Sequence, residues 1–390
     1  MSCVVGIICE YNPFHKGHKY QIEQIKFNFP DSIIVSIMSG NIVQRGEFAM
    51  LDKYDRARIA IECGVNAVFE IPFPYCGSTA EIFANAGVEI AEKLGCNYLC
   101  FGVEDFDAID VEKVADTIDS DAFEKEIKNF LEDKRNSYIV SKQKALKKLN
   151  CKPPISANDI LAVEYARAIK LKGYGLKLFP IKRIGAGYND RHKCEIMSAT
   201  AIRESFYDKG FFESVPESAN EIYDDILARE KYLSLETSER VLHSFAILNG
   251  EDISLAFDSN EEIASLIVKE AKNYDSELFL DALRTKNYTK ARLKRALLYA
   301  LFNIENVDFS PKFTILLGTD SVGRTIAKKT VLGFTIITKH SDASKMSEKE
   351  KSILETVYSV DQIHGLMLKK ASVPSDAYKR RPIIKKDSTD

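Results

Sequence analysis

The chain has 390 residues, room for two or three domains, and 45% of them are apolar, enough for real cores. Its 54 basic and 57 acidic residues nearly cancel, which excludes a global attraction to nucleic acid and leaves only a local patch for RNA. No apolar stretch approaches the roughly 20 residues of a membrane span, the N-terminus lacks a signal peptide's layout, and the eight scattered cysteines form no CxxC pair. We therefore expect a reduced, cytoplasmic protein with no membrane partner, no disulfide framework and no dedicated metal site.

The first strand is expected over residues 4–9, an apolar run bounded by breakers and too short for a helix. A helix follows over 18–26, with Ile22 and Ile25 on one buried face. Further strands are expected at 32–38, 67–71, 98–102 and 176–184, and helices at 52–63, 79–94 and 158–170, the last capped by Asn158. Residues from about 110 to 152 read as a charged helical insertion. Alternation of strands and helices over 1–214 predicts an α/β domain, a Rossmann-like parallel sheet with crossover helices. From 215 to 375 the pattern becomes mostly α-helical, which predicts a second domain, and 376–390 reads as a charged flexible tail.

Chemistry concentrates where the first strand hands over to its helix. His15, Gly17 and His18 form HxGH at a helix N-terminus, a position that collects anions through unpaired N–H groups and the helix dipole. Gly17 lets a phosphate approach closely, and two imidazoles can donate hydrogen bonds to charge developing on phosphorus. A second constellation follows the fifth strand: Ser198 can cap a helix whose first turns carry Thr200 and Arg203, a hydroxyl and a cation suited to the outer phosphates of a nucleotide. Gly102, Asn158 and Arg183 lie at the carboxyl ends of strands, where ligands bind in open α/β sheets. Glu10 can meet Mg²⁺ or only order its loop, and Arg45, in the loop after the second strand, can meet substrate or RNA or nothing. Cys9 is read as strand packing rather than a nucleophile. Residues 345–349, KMSEK, look like a synthetase loop, but Ser347 and Glu350 make a capping box that explains the string without catalysis.

PFHKGH after a first strand resembles the HxGH signature of the nucleotidyltransferase superfamily. The longer string from Gly6 to His18 resembles that of the bacterial tRNA(Met) cytidine acetate ligases, most closely before Arg203. The resemblance implies ATP as the nucleotide, with Mg²⁺ on its phosphates, and a phosphate-binding loop made of Ile7, Ile8, Cys9, Glu10, Tyr11, Asn12, Pro13, Phe14, His15, Lys16, Gly17, His18, Lys19 and Tyr20. It also implies ATP contacts at Gly102, Asn158 and Arg183, and triphosphate binding by the Ser198–Thr200–Arg203 cluster. Acetate would be activated as acetyl-adenylate, with His15, His18, Thr200 and Arg203 catalytic, and the acetyl group passed to N4 of the wobble cytidine of elongator tRNA(Met).

For RNA contact, the best segment is 289–297, where Lys290, Arg292, Lys294 and Arg295 form a basic stripe on a predicted helix; its plain alternative is a solvated outer face. Two other functions stay open at this level: a small-molecule adenylyl- or cytidylyltransferase, and an RNA-binding protein with a degenerate nucleotide site. The acetate pocket, the base for N4 and the oligomeric state are not legible.

Overall fold

A computed structural model of the chain describes residues 3–133, 135–183, 199–206, 211–283, 285, 287–308, 310–328, 331–372 and 377–386. Strand β1 (Val4–Cys9) leads to α1 (Lys16–Asn28), β2 (Ile33–Ser39), the short hairpin β3 (Ile42–Val43) and β4 (Glu47–Phe48), and α2 (Lys53–Glu62). Then come β5 (Ala67–Ile71), α3 (Ala80–Lys93), β6 (Tyr98–Val103), the insertion helices α4 (Ala108–Ile118), α5 (Asp121–Leu131) and α6 (Tyr138–Lys148), α7 (Ala157–Lys172) and β7 (Lys177–Lys182). These elements match the sequence pattern closely because each strand is a short apolar run and each helix opens on a side-chain cap.

The strands order as β5-β2-β1-β6-β7, all parallel. The chain moves one way from β1 through β2 to β5, then returns to the other side of β1 with β6. That reversal makes a crevice outside the carboxyl ends of β1 and β6. The HxGH loop leaves β1 there.

Three expectations need correction. Ser156, not Asn158, caps α7, its side chain accepting from Asp159 N, because an N-cap bonds the amide three residues on and Asn158 is already inside the first turn. After α8 (Ala199–Ser205), α9 (Asn220–Ala228), α10 (Leu235–Leu248), α11 (Gly250–Leu255), α12 (Glu261–Asn273), α13 (Ser276–Ala282) and α14 (Lys290–Leu301) the chain, mostly helical as expected, does not stay apart from the first domain. It returns to the sheet as β8 (Phe313–Thr319), which pairs antiparallel with β5 and buries all seven of its residues. Beyond α15 (Arg324–Ala327), β9 (Thr335–Ile337) and α16 (Glu348–Leu366), the tail is held as well. Its β10 (Ile383–Ile384) pairs with β8, and Arg380 forks onto Asp52 at 2.6 and 2.8 Å while lying over the Tyr54 ring. Ser347 and Glu350 do close a capping box at the start of α16, which accounts for the KMSEK string. Cys3, Cys9, Cys63, Cys76, Cys96, Cys100 and Cys151 are free thiols; Cys194 lies outside the described residues.

Candidate active site

The loop after β1 is shaped by what its carbonyls do. Arg56 Nη1 donates to Glu10 O (2.6 Å), Arg203 Nη1 to Asn12 O (2.8 Å) and the Tyr223 hydroxyl to Phe14 O (2.7 Å). Three oxygens that would repel an anion are thereby occupied. Asn12 Oδ1 accepts from Met50 N, and the Tyr11 hydroxyl bonds Ser36, which fixes the loop against the sheet. Ile7, Tyr11 and Phe14 are fully buried, and Ile8 nearly so, and they contribute backbone to the site rather than side chains. The Lys19 ammonium is turned back onto Cys63 O.

His15 is the cap of α1, which starts two residues earlier than the spacing suggests because a ring nitrogen serves where Ser or Asp usually would. His15 Nδ1 accepts from Gly17 N (3.0 Å), and His18 Nδ1 accepts from His15 N (3.2 Å). The two rings stack at 3.8 Å. A ring nitrogen that accepts a backbone N–H carries no proton, so each neutral imidazole keeps its hydrogen on Nε2. Burial, and next the Arg183 guanidinium, lower His15 to about 4; burial, then His15 and Arg183, push His18 well below the usual histidine range. The pair is therefore neutral at pH 7 and offers two Nε2–H donors, the state suited to charge that appears only during reaction.

Arg183 leaves β7 beside Gly102 of β6. A Cβ at Gly102 would stand 3.0 Å from Arg183 Cγ, so the glycine makes the bed for the arginine's stem. The crevice thus gathers His15, His18, Gly102, Arg183 and Arg203, as the sequence suggests. Thr200 lies in α8, the helix that carries Arg203. Ser198 and the loop 184–197 lie outside the described residues. Asn158 sits at the exit of β6, its amide donating to Glu104 Oε1, while the buried Asp159 takes the amides of Glu104 and Asp105. Cys9 is inert as a nucleophile: burial pushes its thiol up to about 12. Glu10 Oε1 accepts from Gln44 N, and burial raises its carboxyl despite Arg56, Arg203 and Arg45 nearby.

The basic stripe does not form. Arg295 is only 8% exposed, Lys294 pairs with Glu47 at 2.8 Å, Arg292 with Asp258 at 2.8 Å and Lys290 with Asp281. Helix α14 buries Leu293 and the run from Arg295 to Ala300, so Arg295 is enclosed while Lys290, Arg292 and Lys294 reach acids beside the helix.

Sequence reasoning missed the floor of the site. Arg56, with no exposed surface, also donates to Ser39 O, Gly40 O and Leu51 O, joining the ends of β1 and β2 to the start of α2. Beside it, Lys53 Nζ bonds Glu70 (2.7 Å) and Asp361 (2.8 Å), and Asn41 bridges Asp52 to Asp361. One signal was available: Arg56 shares the i, i+3, i+4, i+7 stripe of Ile59, Ala60 and Cys63, a charge placed on an apolar face.

A family model described as HIGH Nucleotidyl Transferase matches residues 1–379. A tRNA(Met) cytidine acetate ligase of Pediococcus pentosaceus is 33% identical over 345 residues, covering 86% of this chain and 88% of that one. One of Streptococcus pyogenes serotype M5 is 32% identical over 394 residues, covering 98% of each. The crystal structure of Thermotoga maritima TmcAL in its apo form superposes with a TM-score of 0.88 at 25% identity, over 99% of this chain and all of that chain. The same protein bound to alpha-thio ATP superposes at 0.87 with 24% identity, a likeness of fold.

Proposed function

The chain belongs to the HIGH nucleotidyl transferase family, and we propose that it is a tRNA(Met) cytidine acetate ligase. An acetate oxygen attacks the α-phosphorus of ATP, the bond to the β-phosphate oxygen breaks, and pyrophosphate leaves. N4 of the wobble cytidine of elongator tRNA(Met) then attacks the acetyl carbon of the adenylate. AMP departs, N4 releases a proton and N4-acetylcytidine is formed. A carboxylate is a poor acyl donor and an aromatic amine a weak nucleophile, so the mixed anhydride formed between acetate and AMP supplies the leaving group that the acyl transfer needs.

The observation that carries this reading is the stacked, neutral histidine pair at the sheet's switch point, flanked by Arg183 and Arg203. His15 and His18 donate Nε2–H to the phosphorus-bound oxygens as charge builds there. Arg203, with Thr200 and Ser198, takes the departing pyrophosphate, and Gly102, Asn158 and Arg183 hold the rest of the nucleotide. Mg²⁺ on the triphosphate would neutralise its charge; with one Glu10 oxygen committed to Gln44, the protein side offers that ion few ligands, which suits a metal that keeps its waters. No helix of the described residues is long and apolar enough to cross a membrane, and we place the reaction in the cytoplasm. Of the α14 cations, Lys290 and Arg292 sit in surface ion pairs of little strength that a phosphate can displace. The test is incubation with labelled acetate, ATP and elongator tRNA(Met). N4-acetylcytidine in the digested RNA is expected; folded protein that yields none overturns the proposal.

A further inference from the structure

The hairpin between β2 and α2 has a rigid stalk and a free tip. β3 and β4 pair through Ile42 with Phe48 and Val43 with Glu47, and Gly46 N closes the turn onto Val43 O. Each neighbour of Arg45 is fastened. Gln44 N donates to Glu10 Oε1 (2.8 Å), and its side-chain amide donates to Ser78 O (3.0 Å). Gly46, at φ +75°, lies against α14 so closely that a Cβ would stand 2.9 Å from the Arg295 backbone N. Lys294 binds Glu47. Arg45 is exposed and has no carboxylate partner among the described residues. Of the acids that feel its charge, Glu10 gives one oxygen to Gln44 N and Glu47 binds Lys294. Of the α14 cations that the sequence offered for RNA contact, Lys294 and Arg295 instead brace the stalk, and Arg45 is what the stalk presents.

We infer that Arg45 grips a backbone phosphate of the RNA beside the acceptor base. The inference rests on the proposed function, in which RNA is the second substrate. A base acylated on N4 must leave its stack to enter the crevice, so its sugar-phosphate chain stays at the rim. Arg45 stands on that rim, joined through Gln44 to the Glu10 loop. A guanidinium presents paired N–H donors that match a phosphate, and on a fixed stalk only its own side chain is ordered on binding. Acetate and the triphosphate share this anion chemistry, so the experiment has to separate them from RNA.

The test uses the full chain with Arg45→Gln and Arg45→Lys. Acetate-dependent ATP–pyrophosphate exchange is measured without RNA, and tRNA binding and acetylation are measured across a salt series. For Arg45→Gln, exchange should stay near the wild-type rate while tRNA affinity falls roughly tenfold and the slope of log affinity against log salt shrinks by about one. Arg45→Lys should restore the slope and only part of the affinity. A parallel fall in exchange would assign Arg45 to acetate or ATP, and an unchanged affinity and slope would make it an ordinary loop arginine; either overturns the inference. A wild-type protein that binds tRNA with the expected slope yet never acetylates it would count against the proposed function instead.

Discussion

His18 does two jobs with two nitrogens, and substitution can separate them. Its Nδ1 accepts the His15 amide at 3.2 Å, and its Nε2–H is left to donate into the crevice. In His18→Asn the side-chain oxygen falls where Nδ1 was, so the cap survives and the donor is lost. In His18→Gln the amide nitrogen falls near the place of Nε2, so a donor survives and the cap is lost. Losing one preorganised donor to a developing oxyanion costs about 2.7–4 kcal/mol, or 10²–10³ in rate. Losing a cap acceptor costs about 1 kcal/mol of stability, and the long bond here sits at the low end. His18→Asn should therefore melt near the wild type and slow acetate-dependent pyrophosphate exchange at saturating ATP by two to three orders of magnitude. His18→Gln should melt lower and exchange faster than the Asn variant. An Asn variant with wild-type exchange would refute the role given to Nε2.

Two further outcomes follow from buried charge. Burial alone would raise Asp52, but the Arg380 fork holds it well below the usual carboxylate range. Arg380→Ala leaves that carboxylate with only the Asn41 amide and Tyr54 N, and should cost about 1–3 kcal/mol, less than the value for a fully buried pair because Arg380 is 27% exposed. A thermal melt indistinguishable from wild type would show that the tail is not tethered in solution. His15 titrates at about 4 folded against 6.5 unfolded, a depressed value. Its contribution is intact above pH 6.5 and is lost as pH falls toward 4, by up to about 3 kcal/mol. His15→Asn, which keeps an acceptor for Gly17 N, should melt with a flatter pH dependence over that window, and equal slopes would refute the assignment.

The site was legible where chemistry and local pattern coincide. A strand, a glycine and two histidines in order are enough to propose an anion loop, and the sheet order then brings Gly102 and Arg183 to it. What escaped were individual side-chain pairs made across long separations. Arg380 reads as part of a charged flexible tail because its partner Asp52 is 328 positions away. The α14 stripe reads as a surface because sequence periodicity cannot show that Gly46 lies against Arg295. β8 was readable in principle, since Phe313–Thr319 follows Pro311 and precedes Asp320 as an apolar run like β1, but the helices around it concealed the rhythm. Ser156 and Asn158 compete as caps two residues apart, and only the bond to Asp159 N decides between them.

The antiparallel seam between β5 and β8 also bears on how the polypeptide is made. Thr314 reaches Glu70 across 244 positions, so a growing chain on the ribosome carries Ala67–Ile71 with one flank open until most of the product has emerged. Such a flank invites strangers to zip onto it. Glu70 is the single acid in that segment, and a charge placed there opposes such misassociation until Lys53 and Asp361 enclose it. The same carboxylate thus guards the unfinished molecule and anchors the finished one.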